Sequence, residues 1–246
     1  MIHDRSIWIG YEPRELDAYM VARYSIECHL TTNIPIRGVI MSDLAGRGLY
    51  TRPWHRTAGR MVDHISDAPM STEFAISRFL TPKLALTGWA LFMDCDMLVR
   101  ADLVELFALA DPSKAVMCVK HVHTPREKVK MDDQEQVLYA RKNWSSVMLF
   151  NCSHPSNQKL TFDLINRVPG RDLHRFCWLD DGEIGELPPE WNYLVGYSHL
   201  DVEPKIVHFT SGIPSMAGQQ AAHDRPFNSG IEYADEWNET LLECVR

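Results

Sequence analysis

The run Trp89-Ala90-Leu91-Phe92-Met93 passes directly into Asp94-Cys95-Asp96 and resumes as Met97-Leu98-Val99. An unbroken apolar stretch of this length reads as a strand buried on both faces. Such strands belong in parallel sheets covered by helices. Two carboxylates at the end of that strand are costly unless something uses them. In open α/β folds the carboxyl edge of the sheet is where ligands bind. Asp94 and Asp96 are therefore a candidate site for a hard cation. Mg²⁺ and Mn²⁺ prefer oxygen ligands and leave room for the phosphate oxygens of a substrate. The competing use is a pair of turn aspartates that cap the next helix.

The rest of the chain supplies the other layers of such a fold. Ser6–Gly10 reads as a first strand. It is followed by a turn, Gly10-Tyr11-Glu12-Pro13-Arg14, and by a helix with an apolar stripe at Leu16, Met20, Tyr24 and Cys28. Ile34–Met41 is a second strand, made imperfect by Pro35. Residues 42–69, rich in Gly, Arg and His, read as irregular and substrate-facing, with Arg52–His64 on the acceptor side. A helix opens at Ser71-Thr72-Glu73, carries Phe74, Ile76, Phe79 and Leu80, and ends or restarts at Pro82. Further strands are expected at 115–119, 146–150 and 206–209, and helices at 160–168 and 233–245. This order predicts a single domain: a mixed, mostly parallel α/β sheet flanked by helices. Residues 1–110 read as a nucleotide-binding front half, and residues 111–246 as the second, less regular half.

Composition narrows the partners. The formal net charge of -8 argues against nucleic acid. The longest basic run, 126–130, reads as solvated surface. No stretch approaches the ~18 apolar residues that span a bilayer, and the first residues lack the pattern of a secretory leader. The six cysteines are scattered without a C-x-x-C pair. They read as reduced thiols of a cytoplasmic protein rather than as a zinc site.

Four places gather polar residues at expected strand ends. The Ile9-Gly10-Tyr11 turn would approach a nucleotide, with Tyr11 against the base, although no G-x-G-x-x-G or P-loop lysine is present. Arg78 precedes the acids and has the fork to hold a phosphate or a sugar hydroxyl; the alternative is a surface helix arginine. Asp180 and Asp181, near Trp178 and Trp191, read either as a sugar subsite or as a solvated acidic loop. His208 ends the late strand, and its imidazole would complete a cation shell with Asp94 and Asp96.

Taken in order, these elements resemble the glycosyltransferases of the GT-A fold, most nearly the retaining family 8 type that uses UDP-sugars. Asp94-Cys95-Asp96 matches the D-x-D motif. Trp144–Asn151, Trp178–Asp181 with Trp191-Asn192, and Lys205–Thr210 complete the set. The resemblance spans roughly residues 6–215. It implies that Asp94, Asp96 and His208 hold Mn²⁺ (or Mg²⁺) bridging the donor diphosphate. It also implies that Ile9, Gly10 and Tyr11 contact the uridine, that Cys95 and Gly212 lie within the donor site, and that Arg78 approaches the diphosphate or donor sugar. Ser145 and Ser146 would lie beside that sugar, and Asp180 and Asp181 would face its reactive carbon. The sequence departs from the family pattern in two places. Pro214 stands where the family has a diphosphate-gripping Lys, with Gly212 shifted by one, so backbone N–H groups or Arg225 would replace that charge. Asp181 stands where the family has an amide.

The function implied is metal-dependent transfer of a hexose from a UDP-sugar to a carbohydrate or glycolipid hydroxyl. Asp181 would stabilise the cation-like sugar or act as nucleophile, and Arg78 would assist electrostatically. The alternatives are a haloacid-dehalogenase-like phosphatase, which shares Asp-x-Asp and a later Asp-Asp, a nucleotidyltransferase, whose Gly-rich basic loop is missing, and a nucleotide-sugar-binding module without catalysis.

Overall fold

Residues Ala90–Met93 are wholly shielded from solvent, as the unbroken apolar run requires. The structure is a computed structural model. It describes residues 4–57, 59–121, 129–130, 134–135, 141, 143–201, 203–216 and 231–245. In chain order the first elements are β1 (Arg5–Gly10), α1 (Leu16–His29), β2 (Ile36–Val39), α2 (Met41–Gly46), β3 (Trp54–Thr57), β4 (Arg60–Asp63) and β5 (Ala68–Met70). Then come α3 (Phe74–Ser77), α4 (Thr81–Ala85), β6 (Trp89–Met93), β7 (Met97–Val99), α5 (Leu103–Ala108) and β8 (Val116–Cys118). Two short strands follow, β9 (Val129–Lys130) and β10 (Gln134–Glu135), which pair with each other. The remainder is β11 (Val147–Asn151), α6 (Phe162–Arg167), α7 (Gly170–His174), β12 (Ile184–Glu186), β13 (Tyr193–Leu194), β14 (Ile206–His208) and α8 (Ala234–Cys244).

The main sheet has six strands in the order β12-β8-β11-β6-β1-β2. β1 runs parallel to both β2 and β6, and β8 runs parallel to β12. β11 alone is antiparallel to its neighbours, β6 and β8. Its first residues therefore lie at the carboxyl edge of β6. Strands on both sides of residue 110 build this one sheet. A second sheet, β13-β14-β7, adjoins it. The chain leaves the main sheet at Met93 and enters the small one at Met97, so Asp94-Cys95-Asp96 is the passage between them.

Three expectations need correction. The buried face of α1 is Ala18, Val21, Ala22, Ser25 and Ile26 rather than Leu16, Met20, Tyr24 and Cys28. Small side chains let α1 settle closely, and Ser25 Oγ accepts the Val99 N–H at 3.1 Å. The other stripe turns toward α8, where Cys244 Sγ reaches the Met20 carbonyl. The helix at 71–82 is broken into α3, a tight turn at Arg78–Leu80, and α4, with Pro82 in its first turn. Residues 42–69 are not irregular. They form α2 and a three-stranded antiparallel sheet, β3-β4-β5.

That small sheet is fastened by charge. Arg52 and Asp63 are both buried and paired side-on, and the same guanidinium donates to the carbonyls of Ile165 and Val168 at 2.8 and 2.7 Å. The pair thus ties β4 to the end of α6. Burial pushes the Asp63 carboxyl up, but hydrogen bonds from Arg52 and Ser66 outweigh it and hold its pKa below the usual value. Arg52→Met leaves a buried carboxylate uncompensated. It should lower unfolding stability by about 3–5 kcal/mol, measured by urea denaturation at neutral pH. Because the Asp63 pKa is depressed in the fold, the pair's contribution is fully present above the ordinary carboxylate range. It is lost as pH falls through the native value. The gap between wild type and Arg52→Met should accordingly narrow in acid; a gap independent of pH would refute the account.

Candidate functional site

Three side chains meet at the passage between the sheets. Asp94 follows β6, and its N–H donates to the Ser146 carbonyl at 3.0 Å, which pins it against the start of β11. Asp96 precedes β7. The antiparallel register of β14 on β7 sets His208 opposite Met97, and the Phe209 N–H donates to the Asp96 carbonyl at 2.9 Å. Residues more than a hundred positions apart are thereby brought together by backbone pairing. One ligand atom from each of Asp94, Asp96 and His208 lies within 4.8 Å of the others.

The donor set fits a hard or borderline divalent cation: two carboxylates and one imidazole. Asp94 Oδ1 and Asp96 Oδ1 are cut off from solvent, and among the described residues each meets only one ion-pair partner. Carboxylate oxygens so placed are costly unless a charge compensates them. Two protein cations do so in part. Arg78 Nη1 stands 2.7 Å from Asp94 Oδ1, and His208 Nε2 3.3 Å from Asp96 Oδ1. Burial, then the neighbouring Asp96 charge, push the Asp94 carboxyl up to about 6, and Arg78 only partly offsets them. Burial also raises Asp96, but His208 outweighs it and the net shift is downward. Burial would lower His208; the Asp96 charge reverses that and raises it.

Arg78 is buried, and it occupies the tight turn between α3 and α4 rather than a surface helix face. Its guanidinium carbon lies 5.1 and 5.2 Å from the ring centres of Phe74 and Phe92, and Nη1 also donates to the Ser145 carbonyl at 2.9 Å. Gly10, at the end of β1, lets this arrangement close: a Cβ there would lie 2.5 Å from the Phe74 ring. Ile9 is fully buried within β1, while Tyr11 is half-buried and edge-on to Tyr19. Cys95 is buried, and burial raises its thiol pKa well above the usual value, so it is no nucleophile. Ser145 Oγ bonds His174 Nδ1 at 2.7 Å. Ser146 Oγ donates to the Asn143 carbonyl at 2.9 Å. Gly212 has a left-handed φ of 115° in the turn after β14, where its N–H meets the Phe209 carbonyl.

The acidic pair lies apart from these contacts. Asp180 is exposed, and its N–H donates to Glu183 Oε2 at 2.9 Å. Asp181 has a 90% exposed side chain and pairs with Arg141. The expected aromatic platform is absent here. Trp178 and Trp191 are buried in the core, and Trp178 packs edge-on to Phe79 and Phe176. Their faces are used for packing and are not available to a sugar. Arg225 and residues 126–128 lie outside the described residues.

Sequence reasoning gave no role to Asn192, Glu15 or His174. Asn192 is wholly buried and bonds both His208 and Ser146. Burial, then Asp96 and Glu12, push the Glu15 carboxyl up to about 7. Burial and the Arg78 charge drive His174 down to about 3, so it is a neutral acceptor or donor. The only local signal was the acid-rich turn at 12–15; the other two become visible through contacts across the fold.

No family model matches the chain. It is similar to Protein CDI of Arabidopsis thaliana, 45% identical over 243 residues that span 96% of this chain and 86% of that protein. Among solved structures it is similar to the galactosyltransferase LgtC in complex with donor and acceptor sugar analogues. That match has a TM-score of 0.57 at 15% identity and covers 97% of this chain and 95% of the other. The apo bifunctional glycosyltransferase WbbM gives a TM-score of 0.57 at 14% identity over 98% of this chain, which spans only 51% of WbbM. GlyE of Streptococcus pneumoniae gives 0.55 at 16% identity, over 97% of this chain and 61% of GlyE. These likenesses establish the GT-A fold expected from the sequence.

The raised Asp94 pKa makes a prediction of definite sign. Its ionised form is disfavoured by the fold, so wild-type stability declines as pH rises through about 6. Asp94→Asn mimics the protonated acid. It should be at least as heat-stable as wild type at pH 8 without metal, with the difference vanishing only below the ordinary carboxylate range, where Asp94 is protonated in the folded and unfolded states alike. Mn²⁺ should raise the melting temperature of wild type but not of Asp94→Asn. A variant stabilised by Mn²⁺ as much as wild type would overturn the site.

Proposed function

The chain belongs to the family of Arabidopsis Protein CDI, and from that premise we propose that it is a metal-dependent glycosyltransferase. It moves a hexose from a UDP-sugar to a hydroxyl of a glycan or glycolipid, with retention at the anomeric carbon. The observation that carries this reading is the Asp94–Asp96–His208 cluster at the carboxyl edge of the main sheet, with Arg78 against Asp94. The donor and acceptor complex of LgtC, whose fold this chain shares, supports it.

Asp94, Asp96 and His208 would hold Mn²⁺, or Mg²⁺, which when bound supplies positive charge against the leaving diphosphate. The protein's own residues do the rest. Arg78 fixes Asp94 in place and adds a permanent charge beside it. The turn at Ile9-Gly10-Tyr11 receives the uridine, with Tyr11 the half-buried ring on that edge. Ser145, oriented by neutral His174, lies beside the donor sugar. Transfer breaks the bond from the anomeric carbon to the phosphate oxygen and forms a bond from that carbon to the acceptor oxygen. The departing phosphate oxygen takes the acceptor's proton. Asp181, with Asp180, stabilises the cation-like sugar after exchanging its Arg141 partner for the donor. Arg225 or backbone N–H groups stand in for the Lys that Pro214 replaces.

Among the described residues, no helix is long and apolar enough to cross a membrane. All six cysteines are free, which supports a reducing, cytoplasmic setting. Pro214 favours one competing reading, a module that binds nucleotide sugar without turning it over. A haloacid-dehalogenase-like phosphatase carries its Asp-x-Asp on the first strand. Here the pair follows β6, beside antiparallel β11.

The test is donor hydrolysis across UDP-, GDP- and dTDP-sugars, with and without Mn²⁺, followed by nucleotide release. Slow Mn²⁺-dependent release from one UDP-sugar is expected, reduced at least 100-fold in Asp96→Ala. Full activity in that variant would sink the assignment. Mn²⁺ and UDP binding without release from any donor would favour the binding module, and phosphate release from a simple phosphoester the phosphatase.

A further inference from the structure

We infer that Asn192 and Ser146 form a hydrogen-bond relay that fixes the tautomer of His208 and so makes it a cation ligand. The inference rests on the metal reading above and adds two positioning residues to it. Its logic starts at a group with no choice. The Asn143 carbonyl can only accept, so the single Ser146 hydroxyl proton points to it, at 2.9 Å. Toward Asn192, Ser146 Oγ can then only accept. The Asn192 atom 2.8 Å away must be the amide nitrogen. The amide oxygen is thereby turned to His208 Nδ1, at 3.1 Å, and Nδ1 must carry a proton. In neutral imidazole that leaves Nε2 bare.

Nε2 is the atom that faces Asp96 Oδ1 at 3.3 Å. A bare nitrogen lone pair against a carboxylate oxygen is repulsive; a proton on Nε2 relieves this in the metal-free protein, and a cation that displaces that proton relieves it in the loaded one. Asp96 Oδ1 itself is cut off from solvent, and among the described residues it meets only this ion-pair partner. The relay therefore aims two electron-rich atoms at one place. With the opposite tautomer, Nε2–H would satisfy Asp96 directly and the imidazole would offer no lone pair. Burial makes the setting strict: Asn192 is 0%, His208 3% and Ser146 4% exposed, so water does not compete for these bonds. The Ser146 hydroxyl is engaged in this inward chain. An outer partner of a metal-bound histidine typically changes metal affinity 10–100-fold when removed.

The experiment reads the tautomer and the metal separately. Nitrogen-15 NMR of His208 in the metal-free protein at about pH 9 should show Nδ1–H with bare Nε2. Titration calorimetry with Mn²⁺ alone should show binding by wild type, weakened about 10–100-fold in Asn192→Leu and also weakened in Ser146→Ala. The second variant removes one buried oxygen and touches neither His208 nor the cation, so it serves where the larger change fails to fold. Both variants should lose the pure Nδ1–H signature, which a loss of packing in a correctly folded variant would not move. Asn192→Asp, still an acceptor for Nδ1–H, should recover most of the affinity. Wild type that binds Mn²⁺ while showing Nε2–H would overturn the relay and leave the metal reading intact. Unchanged Mn²⁺ affinity in both variants would overturn it as well. Wild type with the expected tautomer but no Mn²⁺ binding would overturn the metal reading, and with it the relay's purpose.

Discussion

Two half-buried carboxylates, each with one oxygen cut off from solvent at a passage between sheets, are the constraint on which the rest of this structure turns. Asp94 and Asp96 cannot be moved apart, because β6 and β7 hold them from either side. Nor do they fully neutralise each other's surroundings. Arg78 answers Asp94, and His208 answers Asp96, yet Asp94 remains pushed up to about 6. A fold selected only for stability would put apolar residues here, since buried charge clusters return little net stability. An under-compensated anionic cluster in an otherwise apolar junction is the observation on which the proposed binding role rests.

The surrounding elements interlock to hold it. The β1 turn needs glycine at position 10 because Phe74 lies against it. Phe74, with Phe92 of β6, stacks on the Arg78 guanidinium, which spans to Asp94 and to the Ser145 carbonyl. Reversal of β11 then brings Ser145 and Ser146 to the same edge. The first strand, the broken helix, the central strand and the antiparallel strand each contribute one contact to one group. A change at Gly10 would therefore be felt at Asp94 through two aromatic rings and an arginine.

Much of this was legible in the linear chain, and the failures have physical causes. The apolar run at 89–93 and the acids behind it set the central strand and its functional end, because burial on both faces leaves no polar alternation. Pro82 marked the restart of a helix, and Pro35 fell just outside β2, where its carbonyl accepts the Ile7 N–H. The stretch 42–69 was misread because its small sheet is held by a buried ion pair, Arg52–Asp63, not by an apolar stripe. α1 was placed on the wrong face because three of the five residues of its packing surface are Ala and Ser, which carry less hydrophobic signal than the Leu, Met and Tyr of the competing stripe. Trp178 and Trp191 looked like sugar platforms because a tryptophan's burial cannot be read from its neighbours in sequence.

By itself, the sequence determined the local part of this protein: five of the six strands of the main sheet, where the central one ends, and that two carboxylates stand there. Those follow from hydrophobic patterning and backbone stereochemistry, which act over a few residues. Only the tertiary structure decided what the carboxylates face. His208 reaches Asp96 because β14 pairs with β7 in one register, and a slip of one residue would turn it to the opposite face. Asn192 and Ser146 join through a hydrogen bond between two separate strands' ends. Arg78 meets Asp94 while stacked on Phe74, whose ring takes the space left by the missing Cβ of Gly10. Contacts of this kind depend on distances between segments far apart in the chain, and no local pattern encodes them.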